Sequence, residues 1–176
     1  MSEQVRLGFG HEVDRQASDD WLTPPYILEA LGPFDLDPCA SMRQTRQTAR
    51  HQFTQENNGL KQEWKGRVWC NPPYRDLEPW LRRMANHGNG IALTYARTET
   101  RAFEQWVWPC ADAMLFFFGR IAFFRPGKHE AKAGPGPSVL VAYGKDNADA
   151  LYRCGLRGAI VGRAALAQEK PEAEDD

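Results

Sequence analysis

Gly66-Arg67-Val68-Trp69-Cys70-Asn71-Pro72-Pro73-Tyr74 carries the chain from a turn glycine through three apolar residues into an amide, two prolines and an aromatic ring. The apolar run reads as a short buried strand, Val68 to Asn71, bounded by turn residues. A residue ahead of proline is pushed into extended geometry and each proline ring fixes its own φ, so the backbone stiffens where the strand ends. Stiffness leaves the local carbonyls pointing in one direction. The Asn71 side-chain oxygen and the Pro72 carbonyl can then accept hydrogen bonds from one planar amino group, while Tyr74 offers a stacking face to the base that carries it. The four residues Asn71, Pro72, Pro73 and Tyr74 thus suit a pocket that grips adenine by its exocyclic amine. They also fit a plain strand-terminating turn, and what lies on either side decides between the two.

Upstream stands Phe34-Asp35-Leu36-Asp37-Pro38-Cys39-Ala40-Ser41, a short strand with carboxylates at its carboxyl end and small residues after it. Ligands of doubly wound sheets bind at that end of the strands. Asp37 can hold a positively charged or hydroxyl-bearing part of a nucleoside cofactor, and Ala40 and Ser41 let such a group approach the backbone. Asp37 is equally suited to cap a following helix. Earlier still, Asp20-Trp21-Leu22-Thr23-Pro24-Pro25-Tyr26 reads as a cap and helix start with prolines at the first helical positions.

Periodicity places a helix over Pro24 to Leu31, a strand over Phe34 to Asp37, a helical stretch to about Arg50, and the strand at Val68 to Asn71. Leu77, Trp80, Leu81 and Met84 then recur at helical spacing within Leu77 to His87, a helix that Gly88 stops. Ile91 to Tyr95 is a strand, Thr100 to Trp108 a helix with Phe103, Trp106 and Val107 inward. Ala113 to Phe118 and Ile121 to Phe124 are β-rich and separated by Gly119-Arg120, and Val139 to Tyr143 is the last clear strand. The order implies an α/β fold, its sheet mostly parallel with an antiparallel edge hairpin. Residues 125–137 are rich in Gly, Pro and basic side chains, which reads as a long loop that contacts DNA or closes over the target, or as a mobile connection.

The 176 residues, 42% hydrophobic and 11% aromatic, fit one domain over residues 1–168. No apolar run of about 18 residues occurs and the N-terminus lacks a signal-peptide core, so the expectation is a soluble, unexported, cytoplasmic protein without a membrane partner. Cys39, Cys70, Cys110 and Cys154 form no Cys-x-x-Cys pair, which points to reduced, buried thiols. His11, His51, His87 and His129 share no spacing suited to a metal. The segment Glu169 to Asp176 holds five acids and one lysine, so with a formal total of −1 the remaining residues carry +3. That acidic tail reads as disordered. Arg43, Arg46, Arg50 and His51, and again Arg120, Arg125, Lys128, His129 and Lys132, can meet phosphates or form solvated faces.

Taken in order, several segments resemble the small phage-type DNA adenine-N6 methyltransferases that use S-adenosylmethionine. They are Asp20 to Pro24, Phe34 to Ser41, Asn57-Asn58-Gly59-Leu60 with Trp64, Gly66 to Tyr74, Tyr95 to Thr100, Gly119 to Phe123, and Gly136 to Val141. The resemblance implies a Rossmann-like class I core and methyl transfer to the N6 amine of adenine in DNA, with the base flipped into the Asn71 to Tyr74 pocket. It implies cofactor contacts at Trp21, Thr23, Asp37, Pro38 and Asn58, with Ala40 allowing close approach, and DNA contacts at Arg97, Arg120, Lys128 and Lys132. Trp21 also fits the core, and Arg97 fits a surface ion pair with Glu99 or Glu104. The chain departs from the family pattern twice. The turn after Asp37 has no glycine, and Asn58 stands where the family has an acidic residue, leaving Asn58 and Glu56 both open as cofactor contacts. An RNA adenine, a protein glutamine, or an inactive binding module are the competing readings, and the oligomeric state is left open.

Overall fold

The computed structural model describes residues 21–124, 131–134 and 136–163. In chain order its elements are α1 (Pro25–Leu31), β1 (Leu36–Asp37), β2 (His51–Gln52), β3 (Val68–Cys70), α2 (Glu78–His87), β4 (Gly90–Tyr95), α3 (Arg101–Trp106), β5 (Ala113–Phe117), β6 (Ala122–Phe124), β7 (Ala131–Ala133), β8 (Ser138–Tyr143), α4 (Lys145–Arg153) and β9 (Gly158–Gly162). Seven strands form a mixed sheet in the order β2-β1-β3-β4-β8-β5-β9, and β6 pairs with β7 apart from it. The first four are mutually parallel. The pairs β4/β8, β8/β5 and β5/β9 are antiparallel.

This topology follows from side chains that are apolar on both faces of the central strands, as a sheet covered on both sides requires. Trp69, Ile91, Leu93, Leu115 and Leu140 pack with Ile27 and Leu31 of α1 and Leu151 of α4. The alternate residues Val68, Cys70, Ala92, Met114 and Val141 pack with Leu81 and Met84 of α2 and Phe103 of α3. Burial of each such side chain stabilises by about 1.5–3 kcal/mol. Arg67 ties the layers at the amino ends of the strands. Its guanidinium donates to the carbonyls of Leu31 and Pro33, both at 3.0 Å, and to Asn147 Oδ1 at 2.7 Å, and lies 4.3 Å over the Phe34 ring.

From β1 the chain steps outward to β2, then crosses back to β3 on the other side of β1. The β1/β3 gap is therefore the switch point of the sheet, where the carboxyl ends of strands open into a crevice. Asp37 closes β1, and Asn71 directly follows β3.

Four expectations are corrected. Residues 38–50 form turns and bends with no helix, because short polar side chains there bond locally: Ser41 Oγ accepts from the Arg43 amide, and the Asp37 carboxylate accepts from the Cys39 amide and the Thr48 hydroxyl. Asp37 consequently caps no helix. The β5 and β6 segments do not form a hairpin with each other; β5 is claimed on both edges by β8 and β9. The chain does not end its regular structure at β8, since α4 and β9 follow, β9 being a short half-buried run between glycines. Part of the Gly/Pro-rich 125–137 stretch is also regular, Ala131–Ala133 pairing with β6. Residues 125–130, Pro135 and the acidic tail lie outside the described residues.

The turn Gly59–Lys61 is pressed against the end of β1. A Cβ on Gly59 would stand 1.8 Å from the Pro38 carbonyl oxygen, and the Gly59 carbonyl is held by Trp64 Nε1 at 2.8 Å, so neither side can give easily. We expect Gly59→Ala to lower the unfolding free energy by about 1–3 kcal/mol, read by urea denaturation; an unchanged midpoint would mean the two turns separate freely.

Candidate active site

At the switch point a cleft of about 1060 Å³ separates the Pro38 to Ser41 turn from the Asn71 to Tyr74 turn. Ligand sites usually span about 300–1,000 Å³, so the space suits a nucleoside cofactor together with part of a substrate. Trp21, Thr23, Asp37, Pro38, Ala40, Asn58 and all four residues from Asn71 to Tyr74 line it. The residues singled out at four separate places in the sequence are therefore brought to one space. Between the two candidates near residue 58, Asn58 lies in the cleft wall, with a left-handed backbone at φ 51, while the exposed Glu56 is absent from the lining.

The Asn71 amide is fixed from behind. Its Nδ2 donates to the Trp21 carbonyl at 2.8 Å and to Thr23 Oγ1 at 3.2 Å, which turns Oδ1 the other way. Oδ1 accepts from the Tyr74 hydroxyl at 3.0 Å. Trp21 and Thr23 thus act on the site through Asn71, and Trp21 is also packed edge-on against Phe123 with ring centroids 5.9 Å apart. The Tyr74 ring stacks on Tyr95, centroids 4.0 Å apart and 29° from parallel. Burial first, with Tyr95 and the two neighbouring thiols adding to it, raises the Tyr74 hydroxyl above its ordinary value, so it stays a donor.

Across the cleft Asp37 is buried. Oδ1 accepts from the Cys39 amide at 3.0 Å and Oδ2 from the Thr48 hydroxyl, whose oxygen accepts from Gln52 Nε2 at 2.8 Å. Burial pushes its carboxyl up to about 6, and the hydrogen bonds from Thr48 and Cys39 restrain the rise. It remains mostly ionised at neutral pH, an acceptor set in a dry wall. Cys39 and Cys70 lie side by side between the two turns with Sγ atoms 3.6 Å apart; burial first, then Cys70, pushes the Cys39 thiol well up. All four cysteines are free; Cys70 is buried and the other three are half-buried.

Of the basic residues, Arg43 and Arg75 line the cleft, whereas Arg97, Arg120 and Lys132 are not part of its lining. Arg97 is exposed just beyond β4, and among the described residues no ion pair joins it to Glu99 or Glu104. Arg120 is exposed after β5 and donates to the Gly134 carbonyl at 3.1 Å, Lys132 is exposed on β7, and Lys128 lies outside the described residues. Sequence reasoning missed Thr48 and Tyr95. Thr48 carried no signal, being one of several polar residues in an irregular stretch, whereas Tyr95 could have been found as the aromatic closing the strand beside β3. Among the described residues no three His, Cys, Asp or Glu side chains gather as metal ligands, and no helix is long and apolar enough to cross a membrane.

The raised Asp37 carboxyl has a consequence for stability. Its folded value of about 6 lies above the ordinary 3.8, so its stabilising contribution is fully present below about pH 4 and is lost as pH rises through about 6. The loss is about 3 kcal/mol at 1.36 kcal/mol per unit. Urea unfolding at pH 4 and pH 7 should show this component in the parent chain and not in Asp37→Asn; equal pH dependence in both would contradict the burial of an ionisable Asp37.

A family model described as DNA N-6-adenine-methyltransferase (Dam) matches residues 10–152, well over half of the 176 residues, and includes both walls of the cleft. Searches of the curated proteins and of the solved structures returned no match. The chain belongs to the DNA N-6-adenine-methyltransferase (Dam) family, a membership that implies a DNA adenine methyltransferase.

Proposed function

We propose that the protein transfers a methyl group from S-adenosylmethionine to the N6 amine of adenine in DNA, at the cleft between Asp37 and Asn71. The observation that carries this reading is the convergence of the two turns on one space at the switch point, an acceptor carboxylate on one wall and an amine-gripping amide on the other. The order of the parallel strands and the crevice at β1/β3 favour a Rossmann-like class I core in a single domain.

The donor set fits the cofactor. An ionised Asp37 in a dry wall takes hydroxyl or ammonium donors, Pro38 and Ala40 present backbone with little side-chain bulk, and Asn58 can bond a base or ribose edge. When bound, the cofactor supplies a sulfonium methyl that is already electrophilic. The chain's task is to orient the adenine amine and make its nitrogen lone pair available. Asn71 Oδ1 and the Pro72 carbonyl accept hydrogen bonds from the two amine N–H groups and draw them out of the ring plane, which takes the nitrogen lone pair out of conjugation, while Pro73 keeps the turn stiff and Tyr74 stacks on the base. The Asn71 acceptor is held before the substrate arrives, which is where preorganised polar groups gain most. Extruding the base costs a few kcal/mol, and stacking worth about 1–3 kcal/mol per base offsets part of that.

Arg97 and Arg120 follow the carboxyl ends of β4 and β5, strands that are both antiparallel to β8 and so point the same way. Both arginines therefore sit at the edge of the sheet that carries the cleft. With Lys132 they would supply phosphate contacts to a duplex laid across that edge, and Lys128, expected to join them, lies outside the described residues; the reading pairs the protein with DNA in the cytoplasm. The intact amide and its backing bonds weigh against an inactive module.

Incubation with unmethylated duplex DNA and methyl-labelled S-adenosylmethionine, followed by digestion to nucleosides and mass spectrometry, should place the label on N6-methyladenine. Asn71→Ala should lower the rate by about 10²–10³-fold, the size for one preorganised group, with cofactor affinity kept. Label on RNA or on glutamine, and none on DNA, would overturn the substrate assignment.

A further inference from the structure

We propose that Tyr95 is a positioning residue for base recognition: it backs the Tyr74 ring from the β4 side and so holds the opposite face of Tyr74 as the stacking platform. This rests on the adenine-methyltransferase reading of the cleft. Tyr74 begins a single turn, Tyr74–Asp76, and follows two prolines, so no regular element dictates where its ring points. Two contacts do so. One is the hydroxyl bond to Asn71 Oδ1 at 3.0 Å and the other the stack on Tyr95 at 4.0 Å. An adenine amine arriving at Asn71 Oδ1 competes with the first contact and leaves the second untouched. The ring then depends on Tyr95 at the moment the base needs a platform.

Tyr95 is itself held firmly. It closes β4 in register with Ser138, and the next amide, that of Ala96, donates to the Pro137 carbonyl at 2.9 Å. Gly136 lies flat against its ring: a Cβ there would stand 3.1 Å from Cδ1 and 3.3 Å from Cγ. A side chain at 136 would make the Tyr95 ring give way by a few tenths of an ångström, and the segment that precedes β8 is packed onto the residue that supports the Asn71 to Tyr74 turn. Ring centroids of aromatic pairs usually fall at 4.5–7 Å, so the Tyr74–Tyr95 stack is tight.

The test is steady-state methylation of adenine-containing duplex DNA by the full chain and its Tyr95→Ala, Tyr95→Leu and Tyr95→Phe variants, with S-adenosylmethionine binding measured by calorimetry and folding by thermal melts. An aromatic pair is worth about 0.5–1.5 kcal/mol, or about two- to tenfold. Tyr95→Ala and Tyr95→Leu should raise KM for DNA by that factor with cofactor affinity unchanged, and Tyr95→Phe, which keeps the ring, should restore it. If Tyr95→Ala does not fold, Tyr95→Leu against Tyr95→Phe carries the same comparison. An unchanged KM in Tyr95→Leu, or a lower one, overturns the role and would make Tyr95 a stand-in that the base displaces. The parent chain and Asn71→Ala in the same assay separate the two levels: a parent chain that binds cofactor but methylates no DNA, or an Asn71→Ala variant that methylates as well as the parent, overturns the reading of the cleft itself.

Discussion

The clamp on the Asn71 amide is the constraint on which the candidate site depends. An asparagine side chain can turn either way, and only one orientation aims its oxygen at the space where an amine would bind. Here the nitrogen is consumed by the Trp21 carbonyl and the Thr23 hydroxyl, which commits the oxygen to the cleft side. The segment that does this is about fifty residues away in sequence, and it is kept in place by the Leu22–Phe124 bridge and by the Trp21–Phe123 contact. The opening segment, β6 and the Asn71 to Tyr74 turn are thus one mechanical unit. Removing the Trp21 to Thr23 segment from that unit would leave the half-buried Asn71 amide held only through Oδ1 by the Tyr74 hydroxyl, with its Nδ2 stripped of both acceptors.

The two walls of the cleft are built on different principles. The Asn71 wall is stiff because prolines and a clamped amide make it so. The Asp37 wall is irregular, and its order comes from side chains bonding to each other: the carboxylate gathers the Cys39 amide and the Thr48 hydroxyl, and Gln52 holds Thr48. Gathering those donors around a buried carboxylate replaces the glycine-rich turn that many cofactor sites use. Its cost is desolvation of Asp37, visible in the raised carboxyl, and its return is an acceptor already oriented when a ligand arrives. Gly59 serves the same wall by letting the Asn58 turn lie directly on the Pro38 carbonyl.

The strand ends that line the cleft were legible in the sequence because they are marked by unusual residues at abrupt ends of apolar runs: Asp37 before Pro38, and Asn71 before two prolines. Helix α1 was legible through proline at its start, and α2 through the helical spacing of Leu77, Trp80, Leu81 and Met84 with Gly88 after it. What escaped depends on partners distant in the chain. The 38–50 stretch has helical composition, and only the buried carboxylate it wraps around makes it a set of turns. The pairing of β5 with β8 and β9, not with β6, is decided by which apolar edges meet. Tyr95 looked like the end of a strand and no more, since its significance lies in the ring of Tyr74 across the sheet edge. Tertiary contact, acting on locally ambiguous segments, settled each of these.

The central claim is that Asn71 Oδ1 and the Pro72 carbonyl form the seat of the adenine amine. A crystal structure of the protein with duplex DNA and a non-reactive analogue of S-adenosylmethionine tests it most directly. The account predicts an extruded adenine with its N6 amine within hydrogen-bond distance of both oxygens and its ring stacked on Tyr74. An adenine seated elsewhere, with both oxygens out of reach of its amine, would contradict it.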